Sequence, residues 1–170
     1  MKQAHPRTLV VYFSRNGRTR RIAQAVAERL HADLEEIHAV QSREGLLGYA
    51  QSALEATVML APAIAAPRHD SAGYELVVIG SPVWFWSLAS PLRTWLLQAD
   101  LQHARVGFFC TMGSSGARHV FDTMAALSGK QAEATLALTE HEVRARHSHQ
   151  LDAFVQALQG PPARPHAANR

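Results

Sequence analysis

Three short, almost continuously apolar runs constrain the fold of this chain more than any other feature. They cover residues 8–13, 76–80 and 106–110, and each is rich in β-branched and aromatic residues. Strands that are apolar on both faces are typical of a parallel sheet covered by helices on both sides. Residues 34–40 and 134–139 form two further segments with less continuous apolar character, and we expect them to be edge strands.

Amphipathic segments lie between these runs. Ile22, Val26 and Leu30 form an apolar stripe at helical spacing, and similar stripes predict helices at 45–58, after Ser90, around 120–127 and over 151–158. Ser90 followed by Pro91 is typical of an N-cap with proline at the first helical position. Alternating strands and helices predict an α/β fold: a three-layer, doubly wound, five-stranded parallel sheet of order 2-1-3-4-5. We predict one domain over residues 1–160 and a flexible tail over 161–170.

The composition limits the classes of protein to which this chain can belong. The 170 residues are 47% hydrophobic and 18% charged, which is typical of a globular domain. The one cysteine, Cys110, excludes an internal disulfide and a zinc cluster of thiolates, and it favours a cytoplasmic location; we predict no metal site. The net charge of +3 comes without a basic block interleaved with aromatics, which argues against a nucleic-acid partner. No apolar stretch is long enough to predict a membrane span.

Loops of unusual composition follow the three apolar runs. They are residues 14–19 (SRNGRT), 81–87 (SPVWFWS) and 111–116 (TMGSSG). In the predicted order the preceding strands are neighbours, so these loops should lie side by side at the carboxyl rim of the sheet. The first loop offers hydroxyls and a helix N-terminus for an anion, the second an aromatic surface, and the third small residues with accessible N–H groups. Together they suit a phosphorylated planar ligand.

Four fragments in this order resemble the flavodoxin family over about residues 7–158: VVYFSRNGRTRRIA, GLLGYAQSAL, YELVVIGSPVWFWSLASPLRTWL and VGFFCTMGSSGA. The resemblance implies a flavodoxin-like fold and one non-covalently bound FMN, which supplies the redox chemistry. It assigns the FMN phosphate to Ser14, Arg15, Asn16, Gly17, Arg18 (through its backbone N–H) and Thr19. It assigns the isoalloxazine ring to Pro82, Val83, Trp84 and Phe85 on one side, and to Met112, Gly113, Ser114 and Gly116 on the other side or at its pyrimidine edge.

Two features depart from the pattern of electron-carrier flavodoxins. The second loop has no glycine in Trp84-Phe85-Trp86, and the chain is basic where such carriers are usually acidic. Both features favour a flavoenzyme over a dedicated carrier. The resemblance therefore leaves two roles open: a carrier with a redox partner protein, or a small NAD(P)H-dependent reductase of quinones or flavins that passes electrons to a small acceptor. A homodimer is compatible with either role.

Several residues also have simpler interpretations. Ser14 or Asn16 alone could be an ordinary helix cap, and most of the arginines at 15, 18, 20 and 21 could line a solvated helix face. Trp86 could contact the ligand or anchor its loop inward. His119 is a candidate proton donor, and no other catalytic residue is assigned. The alternative to a redox protein is a flavin-free binding or regulatory module on the same fold.

Overall fold

A parallel sheet forms the centre of the molecule. The computed structural model describes residues 6–40, 62–145 and 148–160. Its parallel strands are β1 (Thr8–Tyr12), β2 (Asp33–Glu36), β3 (Leu76–Trp84), β5 (Arg105–Met112) and β6 (Thr135–Thr139). Their order is β2-β1-β3-β5-β6, and the short β4 (Ser87–Leu88) pairs antiparallel with the end of β3. Apart from β4, this is the predicted five-stranded, doubly wound order.

Helices cover both faces of the sheet. They are α1 (Arg18–Leu30), α2 (Ser90–Gln98), α3 (Ala117–Ser128), α4 (Glu140–Arg144) and α5 (Ser148–Gln159). The apolar residues of α2 and α3 form one buried cluster with one face of the sheet, and those of α1, α4 and α5 form a second cluster with the other face. The three-layer α/β architecture is therefore confirmed. The predicted helix at 45–58 and the predicted tail at 161–170 lie outside the described residues.

Several boundaries differ from the predictions. The predicted loop over residues 111–116 starts too early, because residues 111 and 112 belong to β5. Strand β3 continues to Trp84 because Ser81 and Pro82 pair with Cys110 and Thr111 of β5, so the prediction of a loop over residues 81–87 is wrong for most of that segment. Ala89, not Ser90, is the N-cap of α2, and no side chain caps that helix. Strand β2 is shorter than predicted and ends at Glu36, although it does lie at the sheet edge.

A glycine in β3 leaves room for a buried aromatic ring of β5. Gly80 faces Phe109 in the parallel register, and a Cβ atom at position 80 would lie 1.9 Å from the Phe109 ring. Phe109 fills that space itself and is fully buried. The pairing of β3 with β5 continues beyond Gly80 to Pro82 and Thr111, so the two strand ends lie next to one another at the carboxyl rim. Among the described residues, no helix is both long and apolar enough to cross a membrane.

Candidate functional site

A cleft of about 360 Å³ opens at the carboxyl rim of the sheet, in the size range of small-molecule sites. Four neighbouring strands, β1, β3, β5 and β6, end beside it. Its walls are Arg15, Asn16, Arg18, Pro82, Val83, Trp84, Thr111, Met112, Gly113 and Glu140. All three of the loops singled out in the sequence contribute to this one cavity, together with the first residue of α4.

The loop between β1 and α1 forms one end of the cleft. Gly17 is the N-cap of α1 and has φ of 85°, a conformation that glycine adopts without a steric penalty. Its N–H donates to Ser14 Oγ over 3.1 Å, and the Arg18 N–H donates to Asn16 Oδ1 over 3.4 Å. Apart from this long contact with Asn16, no side-chain cap is present, so the N-terminal dipole of α1 remains available to an anion.

Arg18 adds a second source of positive charge, which is itself paired. Its Nη1 atom lies 2.5 Å from Oε1 of Glu140, at the start of α4. Both side chains line the cleft and both are partly exposed. The anion end of the cleft thus contains a carboxylate as well as two guanidinium groups.

Trp84 forms an apolar part of the cleft wall. Its ring packs edge-on against Phe13, with the ring centroids 5.2 Å apart and the planes at 86°. The guanidinium carbon of Arg15 lies 5.9 Å from the Trp84 ring centroid, within the range of a cation–π interaction. These two contacts hold Trp84 between the protein core and the positively charged end of the cleft.

Beyond Trp84 the chain turns sharply at Phe85 and Trp86. Trp84 pairs with Ser87, so Phe85 and Trp86 form a two-residue turn, with φ of 44° and 59°. Phe85 is 95% exposed and Trp86 is 66% exposed. The Trp86 indole N–H donates to Ser115 Oγ over 3.0 Å, so Trp86 joins the turn to the third loop and does not insert into the core.

Gly116 allows the turn to lie close to the third loop. A Cβ atom at position 116 would lie 2.8 Å from Cγ1 of Val83 and 3.2 Å from the Cα of Trp86. The residue also has φ of 104°, as the N-cap of α3. A smaller, more open groove of about 220 Å³ lies here, lined by Val83, Phe85, Trp86, Gly113, Ser114 and Ser115.

Thr19 is placed beneath the cleft. Its hydroxyl is 2.9 Å from the hydroxyl of Thr111, and the Thr19 residue is only 1% exposed. This pair connects the first turn of α1 to the end of β5. Thr19 therefore has a hydrogen-bond partner within the protein, and it stabilises the cleft wall through Thr111.

The structure divides the sequence-predicted residues into three groups. Arg15, Asn16, Arg18, Pro82, Val83, Trp84, Met112 and Gly113 line the cleft. Ser14, Gly17 and Thr19 shape the loop behind it, whereas Phe85, Ser114 and Gly116 lie at the adjoining groove or turn. His119 is exposed in the first turn of α3 and is not part of the cleft wall. Sequence reasoning assigned no role to Glu140 or to Thr111.

The chemistry of the cleft fits a phosphorylated aromatic cofactor. Two guanidinium groups and a helix N-terminus at one end match a phosphate, and Pro82, Trp84 and Met112 at the other match a flat ring. Glu140 is the exception, since it places a carboxylate among the groups that match a phosphate.

Comparison with known proteins agrees with this fit. A family model described as Flavodoxin matches residues 7–140. A Lactobacillus acidophilus flavoprotein, solved in complex with FMN, is 22% identical with a TM-score of 0.60, covering 82% of this chain and 97% of its own.

Two further solved structures share the fold. A flavoprotein candidate from Bacteroides eggerthii has a TM-score of 0.70 at 20% identity, with coverage of 92% of this chain and 99% of its own. A flavodoxin, WrbA-like protein from Agrobacterium tumefaciens has a TM-score of 0.52 at 17% identity, with the same coverage. Among proteins of curated function, none matches. Because the family model spans most of the sequence, the chain belongs to the flavodoxin family.

Proposed function

We propose that this protein binds FMN in the cleft and transfers electrons, as a carrier or as a small NAD(P)H-dependent reductase. The observation that supports this most is the pairing, in one cavity, of an anion-binding end with an aromatic wall. The cavity lies where the strand order reverses, between β1 and β3, which is the usual ligand position in doubly wound sheets.

Each end of the cleft has a defined role in this proposal. Arg15, Asn16, Arg18 and the open N-terminus of α1 hold the phosphate, with Ser14 and Gly17 fixing the loop. Pro82, Val83 and Trp84 flank one side of the ring, and Met112 and Gly113 border the other. Phe85 lies outside the cleft and is not part of this set. Bound FMN would supply the one- and two-electron chemistry, while the protein binds, orients and partly desolvates the ring.

The two roles require different partners. A carrier needs a redox partner protein, whereas a reductase needs a nicotinamide nucleotide and a small acceptor such as a quinone or a free flavin. We place either activity in the cytoplasm, and a homodimer is compatible with both.

The first experiment is flavin uptake. Purified protein should be yellow, or should quench the fluorescence of added FMN at one equivalent. Since each charge-assisted hydrogen bond to phosphate contributes about 1.5–3 kcal/mol, FMN should bind at least about tenfold more tightly than riboflavin. A colourless protein that leaves FMN fluorescence unchanged would rule out the proposal.

The second experiment separates the two roles. Holoprotein is mixed anaerobically with NADH or NADPH, and the flavin absorbance is followed. Prompt bleaching by NADH or NADPH would identify the protein as a reductase. Bleaching by dithionite alone, followed by electron transfer to an added redox protein, would identify it as a carrier.

A further inference from the structure

Glu140 contacts the cationic end of the cleft. It lies on α4, a helix that the sequence analysis did not assign to the site. It is the first residue of α4, and its carboxylate lies 2.5 Å from the Arg18 guanidinium. The two residues are 122 positions apart in the chain. The side chain of Glu140 is 44% exposed and that of Arg18 is 29% exposed, so a ligand in the cleft can reach both.

Glu140 is not needed to build α4. The helix is capped by Thr139, whose hydroxyl accepts the Glu142 N–H, while the Glu142 carboxylate accepts the Thr139 N–H over 2.7 Å. The Thr139 N–H and hydroxyl both donate to the Glu142 carboxylate and lower its pKa to about 2, well below its usual range. Val143 anchors α4 in the same buried cluster as the apolar face of α1. Capping and packing of α4 are therefore supplied by other residues.

Glu140 instead changes the charge of the cleft. The ionised side chains that line it are Arg15, Arg18 and Glu140, which sum to +1; without Glu140 they would sum to +2. A phosphate that binds the Nη1 atom of Arg18 must replace the carboxylate already bound to that atom. The free energy of that ion pair is therefore subtracted from the binding of any ligand that ends in phosphate.

We propose that Glu140 is a specificity-determining residue that competes with the ligand phosphate for Arg18. It weakens the binding of phosphorylated ligands and leaves the binding of uncharged rings unchanged. The identity of the ligand as a flavin rests on the proposed function, whereas the competition for Arg18 does not.

The main test compares E140Q with the wild-type protein. The variant keeps the size of the side chain and removes its charge. Because exposed and partly exposed ion pairs contribute at most about 1 kcal/mol, the Kd for FMN should fall by about two- to fivefold, while the Kd for riboflavin changes less than about 1.5-fold. An unchanged or weaker affinity of E140Q for FMN would overturn the proposal and would show that Glu140 merely positions Arg18 or tethers α4.

A matched control uses an ion pair at the other end of α1. Asp152 of α5 pairs with Arg29 of α1 over 2.7 Å, at similar exposure, but away from the cleft. D152N removes the same charge from the whole molecule and should leave both Kd values unchanged. A tighter FMN complex in D152N would indicate that net charge, and not the Arg18 pair, explains the effect, and would overturn the proposal.

A double-mutant cycle separates competition from simple repulsion. If Glu140 acts by occupying Arg18, then E140Q in an R18Q background should change the Kd for FMN by less than about 1.5-fold. The full effect of about two- to fivefold in that background would mean that Glu140 repels the phosphate directly, and would overturn the competition for Arg18.

A flavin-free measurement keeps this proposal independent of the proposed function. The shift of the thermal unfolding midpoint with added inorganic phosphate should be larger for E140Q than for the wild-type protein and D152N. If FMN does not bind at all but this difference is present, the inference stands and the proposed function fails. If FMN binds and neither its Kd nor the phosphate shift responds to E140Q, the inference fails and the proposed function stands.

Discussion

Thr19 shows how a residue can belong to a binding motif and still work indirectly. The family resemblance assigns it to the phosphate, yet its hydroxyl is buried and bonded to Thr111. The bond joins the start of α1 to the end of β5, and these two segments form adjacent walls of the cleft. At this position the structure supports a role in fixing the geometry of the site.

Replacing Thr19 by valine should therefore reduce stability. The change leaves the Thr111 hydroxyl buried without its partner, which should lower the free energy of unfolding by about 1–3 kcal/mol. Urea unfolding of T19V measures this. The double variant T19V/T111V should recover part of the loss, since removing both partners leaves no unpaired hydroxyl. Equal stability of T19V and the wild-type protein would contradict the pairing.

At the residue scale, sequence patterns located the ends of the cleft but not all of its walls. Arg15 and Asn16 could be identified because they lie in a short motif just after β1, and Trp84 because it lies in an aromatic motif at the end of β3. Glu140 could not, because its partner Arg18 is remote in sequence and nothing local marks a glutamate at the start of a short helix as part of a cavity.

The turn at Phe85 and Trp86 is the most unusual element of the molecule. A two-residue turn with positive φ at both positions normally contains Asn-Gly, and bulky residues in that conformation are strained. The sequence predicted no hairpin here because WFW contains none of the residues that mark such turns. The parallel strands and their order were predictable, since they follow from continuous apolar runs; the strained turn was not.

Relieving this strain should stabilise the protein. Asparagine tolerates positive φ, and Phe85 is almost fully exposed, so F85N should raise the free energy of unfolding by about 0.5–1 kcal/mol. F85A is the matched control, because it removes the same ring and keeps the steric penalty. Thermal unfolding of the three proteins tests this: equal midpoints for F85N and F85A would mean that the backbone at Phe85 is not strained.

For the molecule as a whole, the sheet separates two buried clusters and carries the thiol of Cys110 at its centre. Cys110 is fully buried in β5, and burial raises the pKa of its thiol to about 12. A protonated, enclosed thiol reacts slowly with disulfide reagents, so its modification requires the sheet to open. Cys110 is thus a natural reporter of global stability.

Cofactor binding should slow the labelling of Cys110. A ligand that binds only the folded state at one hundred times its Kd stabilises it by about 2.7 kcal/mol, which corresponds to labelling about 100-fold slower. Labelling with a chromogenic disulfide reagent, with and without FMN, measures this. Rapid labelling that FMN does not slow would contradict both the burial of the thiol and the linkage to binding.

The central claim, that FMN occupies the cleft at the carboxyl rim, is tested most directly by partly filling the cleft. Gly113 lines it, and a Cβ atom there would meet no other atom within 4 Å, so G113L should fold normally and place its side chain in the cavity. Q24L adds the same side chain at an exposed position on α1. In fluorescence titrations, FMN should bind the wild-type protein and Q24L with equal affinity, and G113L at least about tenfold more weakly. Equal affinity for all three proteins would show that FMN binds elsewhere and would contradict the account.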